Sequence, residues 1–153
     1  MGILDRQESG SQIVLRILLG SEEKKIIIFD GVCNFCNWAV KFVVKRDTAG
    51  VFRFTASQSK SGQNLLSRFD VAESGDKSIV LVDGDQCFAR SDAVLEIFRY
   101  LGSGWQFMRF LKIFPKKLRD WGYSVFSRYR YTVFGKRDSC MVPSEKIKER
   151  FIE

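Results

Sequence analysis

Apolar residues fall along this chain in short blocks of two different periods. Lys25-Ile26-Ile27-Ile28-Phe29 is a continuous apolar run behind one lysine, the pattern of a strand buried on both faces, and it ends at Asp30-Gly31. From Phe35 the spacing changes to Phe35, Ala39, Phe42, Val43 and Arg46, a helical period that Asp47–Gly50 stops. Val51-Phe52-Arg53-Phe54-Thr55 alternates like a strand, and Ser59–Phe69 reads as a helix with Leu65, Leu66 and Phe69 inward. Ser78-Ile79-Val80-Leu81-Val82 is a second buried-type strand, Asp83-Gly84-Asp85 supplies hairpin chemistry, and Gln86–Ala89 is a short return strand. Ser91 then reads as an N-cap, with Asp92 near the positive end of a helix running through Leu101.

The order β-α-β-α-β-β-α predicts a four-stranded mixed sheet with helices on both faces, an α/β domain. It is also the order of the minimal thioredoxin/glutaredoxin core. Beyond Gly104 the character changes: Trp105–Phe114 and Lys116–Arg130 are aromatic, basic and helix-periodic, parted by Pro115. Tyr131–Gly135, a Lys136–Asp138 turn and Cys140-Met141-Val142-Pro143 follow, and Ser144–Phe151 reads as a short terminal helix capped by Ser144. The expected organisation is a leader over 1–23, the core over 24–102 and a basic helical extension over 103–153 packed on the core. Trp105, Phe107, Phe110, Phe114, Trp121, Tyr123 and Phe126 are expected to bind that extension to the sheet. A base-stacking platform would instead need those rings exposed beside Lys and Arg.

The 153 residues suit one domain that needs neither disulfide nor metal to fold. Histidine is absent, which removes Ser–His and Cys–His catalysis and histidine metal ligands together. The net charge of +7 lies wholly in residues 109–153, which hold twelve basic and five acidic residues. Such a segment can meet nucleic acid, anionic lipid or an acidic protein, or form a solvated helical face; nucleic acid is not the expected partner. No apolar run approaches the ~20 residues of a membrane-spanning helix. Arg6 breaks the myristoylation pattern and Arg16 interrupts Ile13–Leu19, so no export signal is visible and the cysteines are expected in a reducing cytoplasm.

Cys33-Asn34-Phe35-Cys36 is the sharpest chemical feature. Two residues between cysteines at a helix start put both sulfurs on one turn. Backbone N–H groups and the helix dipole favour a thiolate at Cys33, making it the attacking sulfur, while a more recessed Cys36 resolves the mixed disulfide. Half a zinc site lacks a second pair, since Cys87 and Cys140 are isolated singles. Two small core residues fit poorly with a pair placed straight after a buried strand and a glycine. Asp30 stands beside the thiols, either as a base taking the Cys36 proton or as a turn residue bonding backbone N–H groups. A phosphatase-type aspartate fails because Val32 stands where a second aspartate is needed.

Asp30-Gly31-Val32-Cys33-Asn34-Phe35-Cys36 resembles the signature of the DCC family, thiol-disulfide oxidoreductase-like proteins named for an Asp-x-x-Cys-x-x-Cys motif. Ser91-Asp92-Ala93 resembles its second block. Arg130-Tyr131, Phe134-Gly135-Lys136 and Cys140-Met141-Val142-Pro143 resemble its C-terminal block, so the likeness runs from about Lys25 to Pro143. It implies a thioredoxin-like fold and dithiol/disulfide exchange, with Asp30, Cys33 and Cys36 in the motif positions. It also hints that the helix start at Ser91 and Asp92 faces the active loop. Thioredoxins proper place a cis-proline before the third strand; the corresponding Gly75-Asp76-Lys77-Ser78 has none, and a trans peptide is expected there.

Cys140 is a third thiol or a buried small residue, and Cys87 is structural. The expected activity is thiol-disulfide exchange with protein or small-molecule thiols and disulfides, without organic cofactor or metal. Two rival classes are a non-catalytic binding module using the basic extension and a soft-metal carrier holding Cu(I) or zinc between the thiolates.

Overall fold

A computed structural model of the chain describes residues 24–71, 78–139 and 142–152. Four strands, β1 (Lys25–Phe29), β2 (Phe52–Ala56), β3 (Val80–Asp83) and β4 (Gln86–Ala89), form one sheet in the order β2-β1-β3-β4. β1 runs parallel to β2 and antiparallel to β3, and β3 pairs antiparallel with β4. This is the mixed sheet expected from the element order. The parallel pair needs a crossover, which α1 (Asn34–Arg46) supplies.

Alternation along the strands sorts side chains to two faces. Ile27, Phe29, Phe52, Phe54 and Leu81 pack with Val40 and Val43 of α1 and with Ala93 and Ile97 of α3 (Arg90–Tyr100). Ile26, Ile28, Val80 and Val82 face Leu65 and Leu66 of α2 (Lys60–Arg68) on the other side. Burial on both faces explains why the strands read as unbroken apolar runs. α2 approaches β2 closely at Gly62, where a Cβ would lie 2.1 Å from the Ala56 carbonyl oxygen.

The start of α3 departs from expectation. Its N-cap is Ala89 and Ser91 lies inside the helix. Ser91 is drawn inward because its hydroxyl donates to Asp120 (2.5 Å) on α4 (Lys116–Phe134). Asp92 likewise takes Lys116 and Arg119 of α4, so the pair docks two helices together.

Between Gly102 and Pro115 the chain forms a 3-10 helix, Ser103–Ile113, rather than an α-helix. α4 then continues unbroken through Phe134, so Tyr131–Gly135 is mostly its last turn. The aromatic residues expected to bind the extension divide. Trp105 stacks on Phe98 and meets Phe42 edge-on, Phe126 packs on Phe35, and the Tyr123 hydroxyl accepts the Ile79 N–H. Phe107, Phe110, Phe114 and Trp121, however, are exposed. A 3-10 helix turns three faces outward at 120° intervals; the Trp105 face packs its rings toward α3, and Lys112 on another face pairs with Glu96 of α3.

After α4 the short α5 (Glu145–Lys148) returns the chain to the sheet, where Phe151 bridges Phe54 along the free edge of β2. Arg150 secures this return by an ion pair with buried Asp47 (3.2 Å), whose carboxylate also accepts the N–H groups of Val51 and Phe52. Among the described residues no helix is long and apolar enough to cross a membrane.

Replacing Gly62 with alanine should destabilise the protein by about 3 kcal/mol, because backbone rather than a yielding side chain opposes the new methyl. Urea unfolding checks it; a loss below ~0.5 kcal/mol would contradict the close approach.

Candidate active site

β1 delivers Asp30 to the foot of α1 with almost no exposed surface (1%). A buried carboxylate needs hydrogen bonds on all sides, and this one accepts four. Oδ1 takes the Val32 N–H (3.1 Å) and the Gln58 side-chain amide (2.9 Å); Oδ2 takes Arg130 Nη2 (3.0 Å) and the Tyr131 hydroxyl. Gln58 closes the loop from the other side by accepting the Gly31 N–H, and buried Asn37 donates to the Gly31 carbonyl. The turn between strand and helix is thus clamped by groups from three other parts of the fold.

Cys33 is the N-cap of α1. Its sulfur accepts the Cys36 N–H at 3.3 Å, the role an Asp or Ser oxygen plays at other helix starts. The two cysteines approach to 3.0 Å and are free thiols. The Cys33 thiol is pushed down to about 6, first by the hydrogen bond from the Cys36 thiol, then by the Cys36 N–H and the Arg130 charge, against burial and Asp30. Cys36 is pushed up by the same shared proton and by burial. One proton held between two sulfurs makes Cys33 the thiolate and Cys36 its donor.

Arg130 completes the centre. It is 3% exposed, pairs with Asp30, and sets Nη1 3.6 Å from the Cys36 sulfur. Tyr131 is held protonated, its pKa pushed up to about 12 by burial and by its hydrogen bond to Asp30. Both come from the last turns of α4, 100 residues from Asp30.

The expected exposures of the two sulfurs need correction. Cys36 has more of the protein around it yet keeps part of its surface open, whereas Cys33 has none exposed. Beside Cys33 runs a strap, Gly135–Arg137, in which Lys136 bridges Cys33 antiparallel. Arg137 N–H donates to the Val32 carbonyl (2.7 Å), Asn34 N–H to Gly135 (3.4 Å), and the Asn34 side chain to Phe134 (2.9 Å).

Residues 27–136 match the DCC1-like thiol-disulfide oxidoreductase family. The chain belongs to this family. It is 40% identical over 128 residues to the uncharacterized protein YuxK of Bacillus subtilis, covering 84% of this chain and 93% of that one. It is 41% identical over 120 residues to a chloroplastic DCC family protein of Arabidopsis thaliana, covering 78% of this chain and 70% of that one. No solved structure matches it.

In this DCC protein, then, the motif residues Asp30, Cys33 and Cys36 come together with Arg130 and Tyr131 of the C-terminal block. Ser91 and Asp92 of the second block meet α4 through Asp120, Lys116 and Arg119. Cys140 and Gly75–Lys77 lie outside the described residues, and no described peptide bond is cis. Cys87 is half-buried on β4, its thiol pushed up by burial. Among the described residues no three Cys, Asp or Glu side chains gather as metal ligands. Sequence reasoning singled out neither Gln58 nor Asn37. Arg130 and Tyr131 stood in the C-terminal block of the family resemblance, but no role was read for either.

Alkylation of Cys33 should rise with pH through a midpoint near 6 and then plateau, because the thiolate reacts and the thiol does not. Arg130→Lys should keep that midpoint within about half a unit, and Arg130→Gln should raise it. An unchanged midpoint in Arg130→Gln would contradict the role given to the guanidinium.

Proposed function

We propose that this DCC protein exchanges thiols and disulfides with protein or small-molecule partners through Cys33 and Cys36. The observation that supports this best is the pair of sulfurs 3.0 Å apart at a helix start, with the Cys36 N–H on the Cys33 sulfur and the Arg130 guanidinium 3.6 Å from the Cys36 sulfur. Attack by the Cys33 thiolate on a substrate disulfide forms a Cys33–substrate bond and releases one substrate thiolate. Bonding removes the charge on Cys33 and with it the partner that held the Cys36 proton. That proton passes to the released thiolate.

Arg130 then stabilises Cys36 as the anion. Cys36 attacks the Cys33 sulfur, forming the Cys33–Cys36 disulfide and releasing the second substrate thiolate. Two electrons have moved from the protein dithiol to the substrate, and the reverse sequence oxidises a dithiol partner. Asp30 serves by holding Arg130 and the turn, since all four of its acceptor positions are taken. Turnover as a reductant needs a thiol pool that restores the dithiol, a condition the cytoplasm meets.

For Cys33 to reach another sulfur the Gly135–Arg137 strap must lift. Asn34→Ala removes the side-chain hydrogen bond to the Phe134 carbonyl just before the strap and should speed Cys33 alkylation by about 2- to 10-fold without moving the pH midpoint. Cys36→Ser should trap mixed disulfides with partner thiols, and Cys33→Ser should trap none. Equilibration with glutathione should interconvert a dithiol and an intramolecular disulfide; a pair that fails to exchange, or equal trapping by both variants, would overturn the proposal.

A further inference from the structure

The 3-10 helix Ser103–Ile113 presents a surface that the thiol chemistry does not use. In such a helix side chains three apart eclipse one another, so the segment carries three straight rows. Trp105 and Met108 begin the half-buried row, where Trp105 meets Phe98 and Phe42. Phe107, Phe110 and Ile113 form a second row, 57%, 70% and 78% exposed. Gln106, Arg109 and Lys112 form the third. Past Pro115, Leu118 and Trp121 of α4 are also exposed, 51% and 66%.

From Trp105 to Arg119 there are five cations and no carboxylate. Lys112, Lys116 and Arg119 are tied to Glu96, Asp92 and Asp120. Arg109 and Lys117 have no carboxylate partner among the described residues. The result is an exposed apolar ridge flanked by cations, which is the make-up of a helix lying in a lipid–water interface.

We propose that this ridge docks on an anionic lipid surface, with Phe107, Phe110 and Ile113 entering the acyl boundary and Arg109 and Lys117 meeting lipid phosphates. A second copy of the chain would set these cations against their own kind. Nucleic acid would use the rings, but Ile113 and Leu118 offer no face for base stacking. A projecting row of side chains matches a fluid acyl layer, which needs no shaped pocket to receive it. The inference stands apart from the thiol reading.

Co-sedimentation of the full chain with vesicles of phosphatidylcholine alone, or with about one third phosphatidylserine, tests it. Partition onto the anionic vesicles should exceed that onto neutral ones by about tenfold and fall as salt rises. The combined Phe107→Ser, Phe110→Ser, Ile113→Ser variant should lose about tenfold or more, and Arg109→Glu with Lys117→Glu should lose the preference for anionic lipid. Both variants should keep the wild-type pH midpoint of Cys33 alkylation, which reports an intact fold. Equal binding to both vesicles, or undiminished binding by the triple serine variant, would overturn the proposal. So would a dimer, or a complex with an oligonucleotide or acidic protein, that the triple variant dissolves while vesicle binding is absent.

Discussion

The structure around the thiols depends on one ion pair, Asp30 with Arg130, removed from water on both sides. Neither partner could stay buried alone. Burying a lone charge costs several kcal/mol, and deleting one member of such a pair typically costs about 3–5 kcal/mol. The pair therefore does more than join two residues. It fixes the last turns of α4 against the turn that follows β1 and makes the basic C-terminal third part of the site. It also places a cation beside Cys36.

From that constraint the electrostatics of the sulfurs follow. Cys33 takes the helix-capping position and Cys36 donates to it, so negative charge settles on the sulfur at the helix start. The Arg130 guanidinium stands 3.6 Å from the Cys36 sulfur, and its charge also lowers the Cys33 thiol. With histidine absent from the chain, the charge beside the two sulfurs comes from a fixed guanidinium rather than an imidazole. The strap over Cys33 adds a condition of access, because backbone pairing with Val32–Asn34 occupies the edge beside the reactive sulfur.

Much of this was legible from residue order. The strand Lys25–Phe29 has the bounds its apolar run predicts, and the helix read over Ser59–Phe69 is α2, with Ser59 as its N-cap and Phe69 as its C-cap. The Cys33–Cys36 pair stands where the change from strand to helical period puts it. What escaped was long-range. The resemblance marked Arg130-Tyr131 as part of a block, but Arg130 lies among twelve basic residues of the last third, and neither composition nor period shows that it enters the core to meet Asp30. Ser91 carries a sound capping signal, but a carboxylate on α4 competes for its hydroxyl and wins. The exposed rings of the 3-10 helix escaped because aromatic content suggests burial, while the helix-periodic reading expected an α-helical face where the segment has a period of three. The strap escaped for the same reason as Arg130, since its partners are about a hundred residues away.

The most direct test is a double-mutant cycle on Asp30 and Arg130, using Asp30→Asn, Arg130→Met and the combined variant. Unfolding free energy and the Cys33 thiolate midpoint are read for each. A tightly coupled buried pair predicts that the combined variant loses less stability than the two singles together, by about 1–3 kcal/mol. Its thiolate midpoint should also lie above the wild-type value. Additive losses with a thiolate midpoint unmoved in all three variants would mean that the ion pair neither holds the site together nor sets its charge.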